Sequence, residues 1–193
     1  IQVLGWSQPD CLALRNKLAL AKQHIANQDW PDWQQASLLE TLENWLAPYL
    51  SSIRNKQQLQ KLDLPELLLN SLDWSLQQAL SQACPDYHQT PAGNRARIDY
   101  TGEQPKLSVK LQEMFGEPET PTICHGRQPL LIELLSPARR PLQVTQDLAN
   151  FWQNAYVEVR KEMKGRYPKH PWPDDPVNAV ATSKTKSQLQ RQR

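Results

Sequence analysis

The sequence predicts an α+β fold, with a small N-terminal helical bundle followed by a mixed α/β domain that has a short sheet and one long C-terminal helix. Three observations predict it. Leucine-rich segments with helical spacing fill the first 84 residues, short alternating segments between turn residues follow from Pro85, and one strong helical stripe follows Thr145. We expect a helical region at 1–84, an α+β domain at 85–176 and a disordered basic tail at 177–193.

Polar residues mark the predicted helix starts in the first region. Ser7 with Asp10 and Ser37 with Glu40 have the spacing of a capping box, in which serine and acid each satisfy a backbone N–H group. Asp63 precedes a proline and predicts a further cap, because an aspartate oxygen accepts from the first turn. The sequence therefore predicts three or four short helices in this region.

Four tryptophans in this region are predicted to belong to its core: Trp30, Trp33, Trp45 and Trp74. Trp74 begins the apolar stripe of a fourth predicted helix, which we expect Pro85 to end. A binding role for these side chains is the less favoured alternative.

Short segments bounded by turns predict the sheet of the second region. Arg95–Tyr100 and Leu107–Leu111 have strand length, and a single helical turn closed by Gly116 follows. Residues 129–137 form an apolar run between prolines, which predicts a central strand, and residues 139–144 could pair beside it.

The long helix is the clearest element of the sequence. Thr145 is its predicted cap and Gly165 its predicted end. Its apolar stripe comprises Leu148, Trp152, Ala155, Val159 and Met163. Arg160, Lys161 and Lys164 lie away from that stripe, so the helix is predicted to have a basic outer face.

A proline-rich segment, GRYPKHPWPDDP at 165–176, follows the helix. Its four prolines exclude regular structure and make it stiffer than the Gly/Ser linkers that join domains. We interpret it as an extended strap that Tyr167 and Trp172 can anchor. Asp174 and Asp175 could hold a metal, but capping of a turn is the favoured interpretation.

Composition is that of a folded protein, and the charge is uneven. The 193 residues are 39% hydrophobic and carry a net charge of +2. Residues 138–193 hold 11 basic and 5 acidic residues, a net +6, which is compatible with an anionic partner such as nucleic acid. A solvated surface explains the same charge about equally well.

Location is suggested by what the sequence contains. Three widely spaced cysteines suit a reducing cytoplasm, and no apolar run reaches the roughly 18 residues of a membrane span. There is no signal sequence, and the first residue, Ile1, indicates a fragment or a processed piece.

Catalytic motifs are missing from the sequence. It has no G-x-x-x-x-G-K-[ST] phosphate loop, no G-x-G-x-x-G and no H-E-x-x-H. Cys124 and His125 are adjacent, but neighbours in an extended segment point to opposite faces, so a nucleophile or zinc site there is not favoured. We expect no catalytic residue, metal or cofactor in this chain.

Several strings of the sequence resemble the C-terminal region of bacterial HrpB-type helicases, in the DExH-box ATP-dependent RNA helicase superfamily. The most specific are SPARRPLQVTQDLANFW and EVRKEMKGRYPKHPWPDDP, and LENWLAPYL, RIDY and LSVKLQEMFGEPETP add to them. The chain departs from the resemblance in its tail, where Ser183 stands in place of an expected base.

The resemblance implies a parent protein with upstream RecA-like lobes that use ATP and Mg²⁺, with RNA as the polymer. None of the catalytic residues of that family lies in this chain. It would instead be an accessory region that contacts RNA or regulates the motor. Alternatively, it would be a scaffold that docks the upstream lobes or a protein partner without touching nucleic acid.

The candidate RNA contacts are the basic residues of the last third and two aromatic side chains that could stack on bases. They are Arg139, Arg140, Arg160, Lys161, Lys164, Arg166, Tyr167, Lys169 and Trp172.

Overall fold

The computed structural model describes residues 1–191 and confirms the predicted fold class. Contacts divide the chain into two compact units. The first comprises Ile1–Pro85 and Tyr100–Glu103, and the second comprises Asp86–Asp99 and Gln104 onward. The predicted domain boundaries after residues 84 and 176 stay predictions.

The first unit is helical. Short 3-10 segments at Gln2–Leu4 and Ala47–Ser52 accompany its helices. The helices are α1 (Pro9–His24), α2 (Gln35–Glu40), α3 (Leu42–Trp45), α4 (Lys56–Leu59), α5 (Leu64–Asn70) and α6 (Trp74–Ala83).

The two predicted capping boxes are wrong. Gln8 and Gln34 are the N-cap residues of α1 and α2, and neither side chain makes a cap hydrogen bond. Ser37 lies inside α2, where its hydroxyl donates to the Asp32 carboxylate at 2.7 Å. That carboxylate also accepts from the Gln34 N–H at 3.0 Å, so an acid before the helix does the work predicted for the serine.

Aspartates cap the last two helices of this unit. The cap predicted at Asp63 is confirmed, since its carboxylate accepts from the Glu66 N–H at 3.1 Å. Asp73 does the same for α6, accepting from the Leu76 N–H at 2.8 Å. The Leu76 N–H and the Ser75 hydroxyl, which donates to the same carboxylate at 2.7 Å, lower the pKa of Asp73, because they favour its ionised form.

Tryptophans contribute strongly to the first core. Trp30, Trp33 and Trp45 are buried, as predicted, and the indole N–H of Trp45 donates to the Leu38 carbonyl at 2.9 Å. The core prediction for Trp74 is wrong, because this side chain is 77% exposed. It is the first residue of α6, and this helix packs on the core through Leu76 and Leu80, which lie on its opposite side.

The second unit contains a five-stranded sheet and a small two-stranded one. The strands are β1 (Tyr87–Gln89), β2 (Arg95–Asp99), β3 (Lys106–Lys110), β4 (Thr122–Ile123), β5 (Gln128–Pro129), β6 (Leu131–Leu135) and β7 (Pro141–Thr145). The strand order of the larger sheet is β1-β2-β3-β6-β7, where β3 and β6 are parallel and the other neighbours are antiparallel.

Alternation along the strands gives this sheet one buried face. Ile98, Leu107, Val109, Ile132 and Leu134 are at most 3% exposed. Register pairs Leu107 with both Ile98 and Ile132, so apolar residues of three strands lie on the same side. The predicted strands are confirmed, β6 is interior to the sheet, and β7 pairs beside it as expected.

The long predicted helix is present with shifted ends. It comprises α7 (Leu148–Asn150), a π turn at 151–155 and α8 (Tyr156–Arg166). Asp147, not Thr145, is its N-cap and accepts from the Asn150 N–H at 2.9 Å, while Thr145 accepts from the Asp147 N–H. The helix also continues through Gly165 instead of ending there.

The π turn collects aromatic side chains on one side of this helix. Phe151, Trp152 and Tyr156 are all buried, with ring centroids 5.1–6.3 Å apart in edge-on arrangements. Residues five apart diverge on an α-helix, whereas a turn closed by i to i+5 hydrogen bonds brings them together. Phe115, in the turn after β3, completes the cluster.

The segment after residue 176 makes contacts with this unit and ends in α9 (Lys186–Gln190). Thr182 is buried, and its N–H donates to the Gln112 carbonyl at 2.9 Å. Thr185 forms a capping box with Gln188. The structure thus differs here from the predicted disorder, while residues 192 and 193 of the predicted tail lie outside the described residues.

We expect the second unit to lose stability between pH 7.5 and pH 5.5. Burial lowers the pKa of His88, whose Nε2 is buried without a hydrogen-bond partner among the described residues. The unfolded chain therefore binds this proton more readily, and the free energy of unfolding falls as the pH drops below the unfolded histidine pKa of about 6.5. Urea unfolding at the two pH values measures this loss.

His88→Gln should show a smaller loss than the native sequence, because glutamine does not titrate. Comparing the two proteins removes the contribution of other groups, such as Glu117, whose pKa burial raises and whose protonation acts in the opposite direction. An equal loss in both proteins would contradict the prediction.

Candidate nucleic-acid interface

The proline-rich strap begins at Tyr167 and not at Gly165, because α8 includes the first two residues of the predicted segment, and the strap of residues 167–176 is held by side chains of this helix. The Tyr156 hydroxyl donates to the Pro173 carbonyl at 2.9 Å. Arg160 donates through Nε to the Trp172 carbonyl at 3.0 Å and forms an ion pair with Asp174. Burial raises the pKa of Tyr156, so its hydroxyl stays protonated and able to donate.

Trp172 is the internal anchor of the strap. Its side chain is only 6% exposed, and its indole N–H donates to the carbonyl of Tyr167 at 3.0 Å. Tyr167 caps the C-terminus of α8, so this bond folds the strap back onto the helix end. The strap is therefore anchored as predicted, at Trp172 above all.

Gln112 holds the strap from the other side. This residue is 2% exposed, and its side-chain amide donates to the Pro171 carbonyl at 2.8 Å. Its own carbonyl accepts from Thr182, so one buried glutamine links the turn after β3 to both C-terminal segments.

These contacts change the interpretation of two candidate residues. The Arg160 guanidinium already has a carboxylate partner and a carbonyl acceptor, and the Trp172 ring is inside the fold. A base cannot stack on a buried indole. A guanidinium that is already paired would have to break its ion pair before it could bind a phosphate. Both residues are better explained as strap anchors than as RNA contacts.

The remaining candidates on the helix are exposed but share their surface with acids. Lys161 and Lys164 are exposed, and Arg166 forms an ion pair with Glu162 at 3.5 Å, with both side chains more than half exposed. Glu158 is exposed beside them. Exposed ion pairs of this kind contribute little to stability. This face of the helix is mixed in charge, with three bases and two acids.

Arg139 and Arg140 lie in the tight turn between β6 and β7. Arg139 has a left-handed φ of 60°, and its N–H donates to the Ser136 carbonyl at 2.8 Å. The buried Ser136 hydroxyl accepts from the Arg140 N–H at 3.0 Å. The backbone is thus fixed while both guanidinium groups are exposed.

Lys169 and His170 lie in the exposed bend of the strap. The Lys169 side chain is exposed, and its carbonyl accepts from the Lys186 N–H at 2.8 Å. Burial and the nearby positive charge of Lys110 lower the pKa of His170. His170 is therefore neutral at pH 7, and Lys169 carries the charge of this bend.

Four basic residues on β2 and β3 were not among the predicted contacts: Arg95, Arg97, Lys106 and Lys110. They alternate with the less exposed residues of those strands, as the strings RARID and KLSVK already indicate. That alternation is the signal that could have identified them.

The residues considered for a metal or catalytic site can be placed in the structure. Among residues 1–191, no three His, Cys, Asp or Glu side chains are grouped as metal ligands would be. Asp175 accepts from the backbone and side chain of Asn178, which is the turn-capping role favoured above. Cys124 and His125 lie in a left-handed turn, not an extended segment, with Cys124 buried and His125 exposed.

The helices of the chain were compared with the length and hydrophobicity that a membrane span requires. Within the described part of the chain, the helices are too short or too polar to cross a bilayer.

Tyr156→Phe should destabilise the chain by about 1–2 kcal/mol, because it removes one hydrogen bond and leaves the Pro173 carbonyl unsatisfied while keeping the ring. Urea unfolding of the full chain measures this change. Tyr49→Phe is the matched control, since Tyr49 is 40% exposed and should tolerate the change. Equal stability of the two variants would show that the strap is not held by this bond.

Comparison with known proteins places the chain in a family. It is 47% identical over 187 residues to the ATP-dependent RNA helicase HrpB of Escherichia coli K12, covering 96% of this chain and 23% of the relative. The crystal structure of the E. coli DExH-box NTPase HrpB matches with a TM-score of 0.88 at 47% identity, over 96% of this chain and 23% of that one. A second structure, of the Escherichia coli DEAH/RHA helicase HrpB, matches with a TM-score of 0.75 at 44% identity, over 89% and 22%.

The chain thus spans about a quarter of the length of these relatives. The family model described as ATP-dependent helicase C-terminal, HrpB_C, matches residues 45–176, which include parts of both units. The chain therefore belongs to the HrpB_C family of ATP-dependent helicase C-terminal domains.

Proposed function

We propose that this chain is an accessory region that contacts RNA on behalf of an ATP-dependent RNA helicase. The observation that carries the proposal is the set of exposed basic side chains in the second unit. Lys161, Lys164 and Lys169 are exposed around the end of α8, and Arg139 and Arg140 are exposed at the tip of a hairpin. Such positions suit phosphate contacts, which give affinity without base specificity.

ATP hydrolysis belongs to the whole helicase in this proposal. The residues of this chain do not fit ATP with Mg²⁺, because the sequence has no phosphate loop and its described acids form no ligand cluster. The chain would support a motor made by other parts of the protein. The cytoplasm, where a bacterial helicase would meet RNA, is the expected location.

A scaffold role is the second candidate, and a specific observation favours it for the strap. Arg160, Tyr156 and Gln112 all spend their hydrogen bonds on strap carbonyls, so this segment is built to keep its shape. A rigid, proline-rich surface loses little entropy when a protein surface packs on it. This role predicts normal RNA affinity after the helix charges are reversed.

The full chain should bind single-stranded RNA at about 50 mM salt and lose most of its affinity by about 200 mM, because phosphate contacts release counterions. Fluorescence anisotropy of a labelled oligonucleotide across a salt series measures this. Absence of binding at the low salt concentration would reject RNA contact. Point variants are the suitable probe, since deleting residues 138–193 would remove β7 and the long helix from the fold.

Reversing two helix charges, with Lys161→Glu and Lys164→Glu together, should weaken RNA binding about tenfold at low salt and flatten its salt dependence. The matched control reverses Lys56 and Lys61, two exposed lysines of the first unit. If both double variants bind equally, general charge explains the binding and not this part of the surface. If both bind like the native chain, the scaffold role is favoured.

A further inference from the structure

The five-stranded sheet has a second face, whose strand residues are half-buried or exposed. The buried residues of β2, β3 and β6 all point to one side, so the residues between them point to the other. We call this other side the open sheet face; it is defined by Tyr87, Arg95, Arg97, Lys106, Ser108 and Lys110. The register of β1 and β2 supports this assignment, since Tyr87 pairs with Arg97. Arg97 directly precedes the buried Ile98, so Arg97 and its partner point to the opposite face of the sheet.

The open sheet face is basic. Its strands present four bases against two acids, Asp99 and Glu133, a net charge of +2. Glu133 is occupied on the face itself, by the Ser108 hydroxyl and by Lys106 at 4.0 Å. Counted in the same way, with the half-buried Arg160 included, α8 has four bases and two acids, which is also a net charge of +2. Net charge therefore does not distinguish the two surfaces, and the sheet differs from the helix in the aromatic side chain that lies among its charges.

An aromatic side chain lies among these charges. Tyr87 is 45% exposed, and the Arg95 guanidinium carbon is 4.3 Å from the centre of its ring. Cation–π contact of this kind holds the guanidinium plane against the tyrosine. A tyrosine ring and an arginine plane are both surfaces on which unpaired RNA bases stack. Phosphate contacts alone would not require such a pair.

The basic surface continues toward the strap. Lys110 ends β3 and is close enough to His170 for its charge to affect that histidine. The register pairs Lys110 with Leu135, one residue before the turn that carries Arg139 and Arg140. The end of the open sheet face thus lies close to the strap and beside the strand that leads into the hairpin. A strand of nucleic acid leaving the sheet would meet further bases there.

We propose that the open sheet face binds single-stranded RNA, with a base stacked on the Tyr87–Arg95 pair and phosphates held by Lys110 and its basic neighbours. The basic charge of the face favours a polyanion as its ligand. The exposed tyrosine favours a polyanion with unpaired bases, because bases inside a duplex cannot stack on a side chain. The inference rests on the proposed function and names the surface and the form of RNA.

The test compares three sheet variants of the full chain by anisotropy with a labelled single-stranded RNA. Tyr87→Ala should weaken binding about 5- to 100-fold with an unchanged salt slope, because it removes stacking and no charge. Lys110→Glu should weaken binding and flatten the salt slope, because it removes a phosphate contact. Tyr87→Phe should bind like the native chain, because the ring is kept.

Controls separate this inference from the proposed function. Thermal melting checks that each variant folds, and Lys110→Glu tests the face independently if Tyr87→Ala does not fold. No binding by the native chain overturns the proposed function and the inference with it. Native binding with unaffected sheet variants overturns the inference alone and is the outcome expected if the face docks protein. Equal affinity for duplex and single-stranded RNA also overturns it.

Discussion

The second unit depends on the contact between the aromatic side of its long helix and the proline-rich strap. The π turn brings Phe151 and Tyr156 to one side, and the Tyr156 hydroxyl then meets the Pro173 carbonyl. The strap carbonyls that meet the helix have no strand neighbour to satisfy them, so helix side chains must. Arg160 therefore donates to a strap carbonyl, and the Trp172 side chain is buried inside the fold. What is available for a ligand is what this packing leaves exposed.

The packing of the strap on the helix separates the charged side chains of this unit into two kinds. The Arg160 side chain is largely buried and paired with Asp174, so its charge contributes to the stability of the fold. Lys161 and Lys164 are exposed and keep their hydration, so they respond to salt and to any polyanion. A count of basic residues in the last third combines both kinds. The structure is needed to divide them, because partners such as Asp174 lie in a segment whose path no local pattern specifies.

Local rules predicted much of the fold, and they failed where tertiary contacts decide. The strands and the cap at Asp63 follow from alternation and from a side chain acting on its own turn. The predicted cap at Ser37 failed because Asp32, five residues earlier, captures its hydroxyl. The core prediction for Trp74 failed because Leu76 and Leu80, through which α6 packs on the core, lie on the opposite side of this helix. The π turn was not predicted, since its reason is the aromatic packing that it makes possible.

The candidate RNA contacts chosen from the sequence stay a prediction, and they leave out bases that only the fold brings together. Charge clustering along the chain drew attention to residues 138–193, whereas the bases on β2 and β3 are separated by apolar residues and come together only across strands. A sheet sums small local charges into one surface, because residues from distant parts of the chain share a face. Asp99 pairs with Lys106 in this register, and Arg95 lies against Tyr87. Cross-strand register, which the sequence pattern leaves open when strands are short, therefore decides which bases of the sheet lie together.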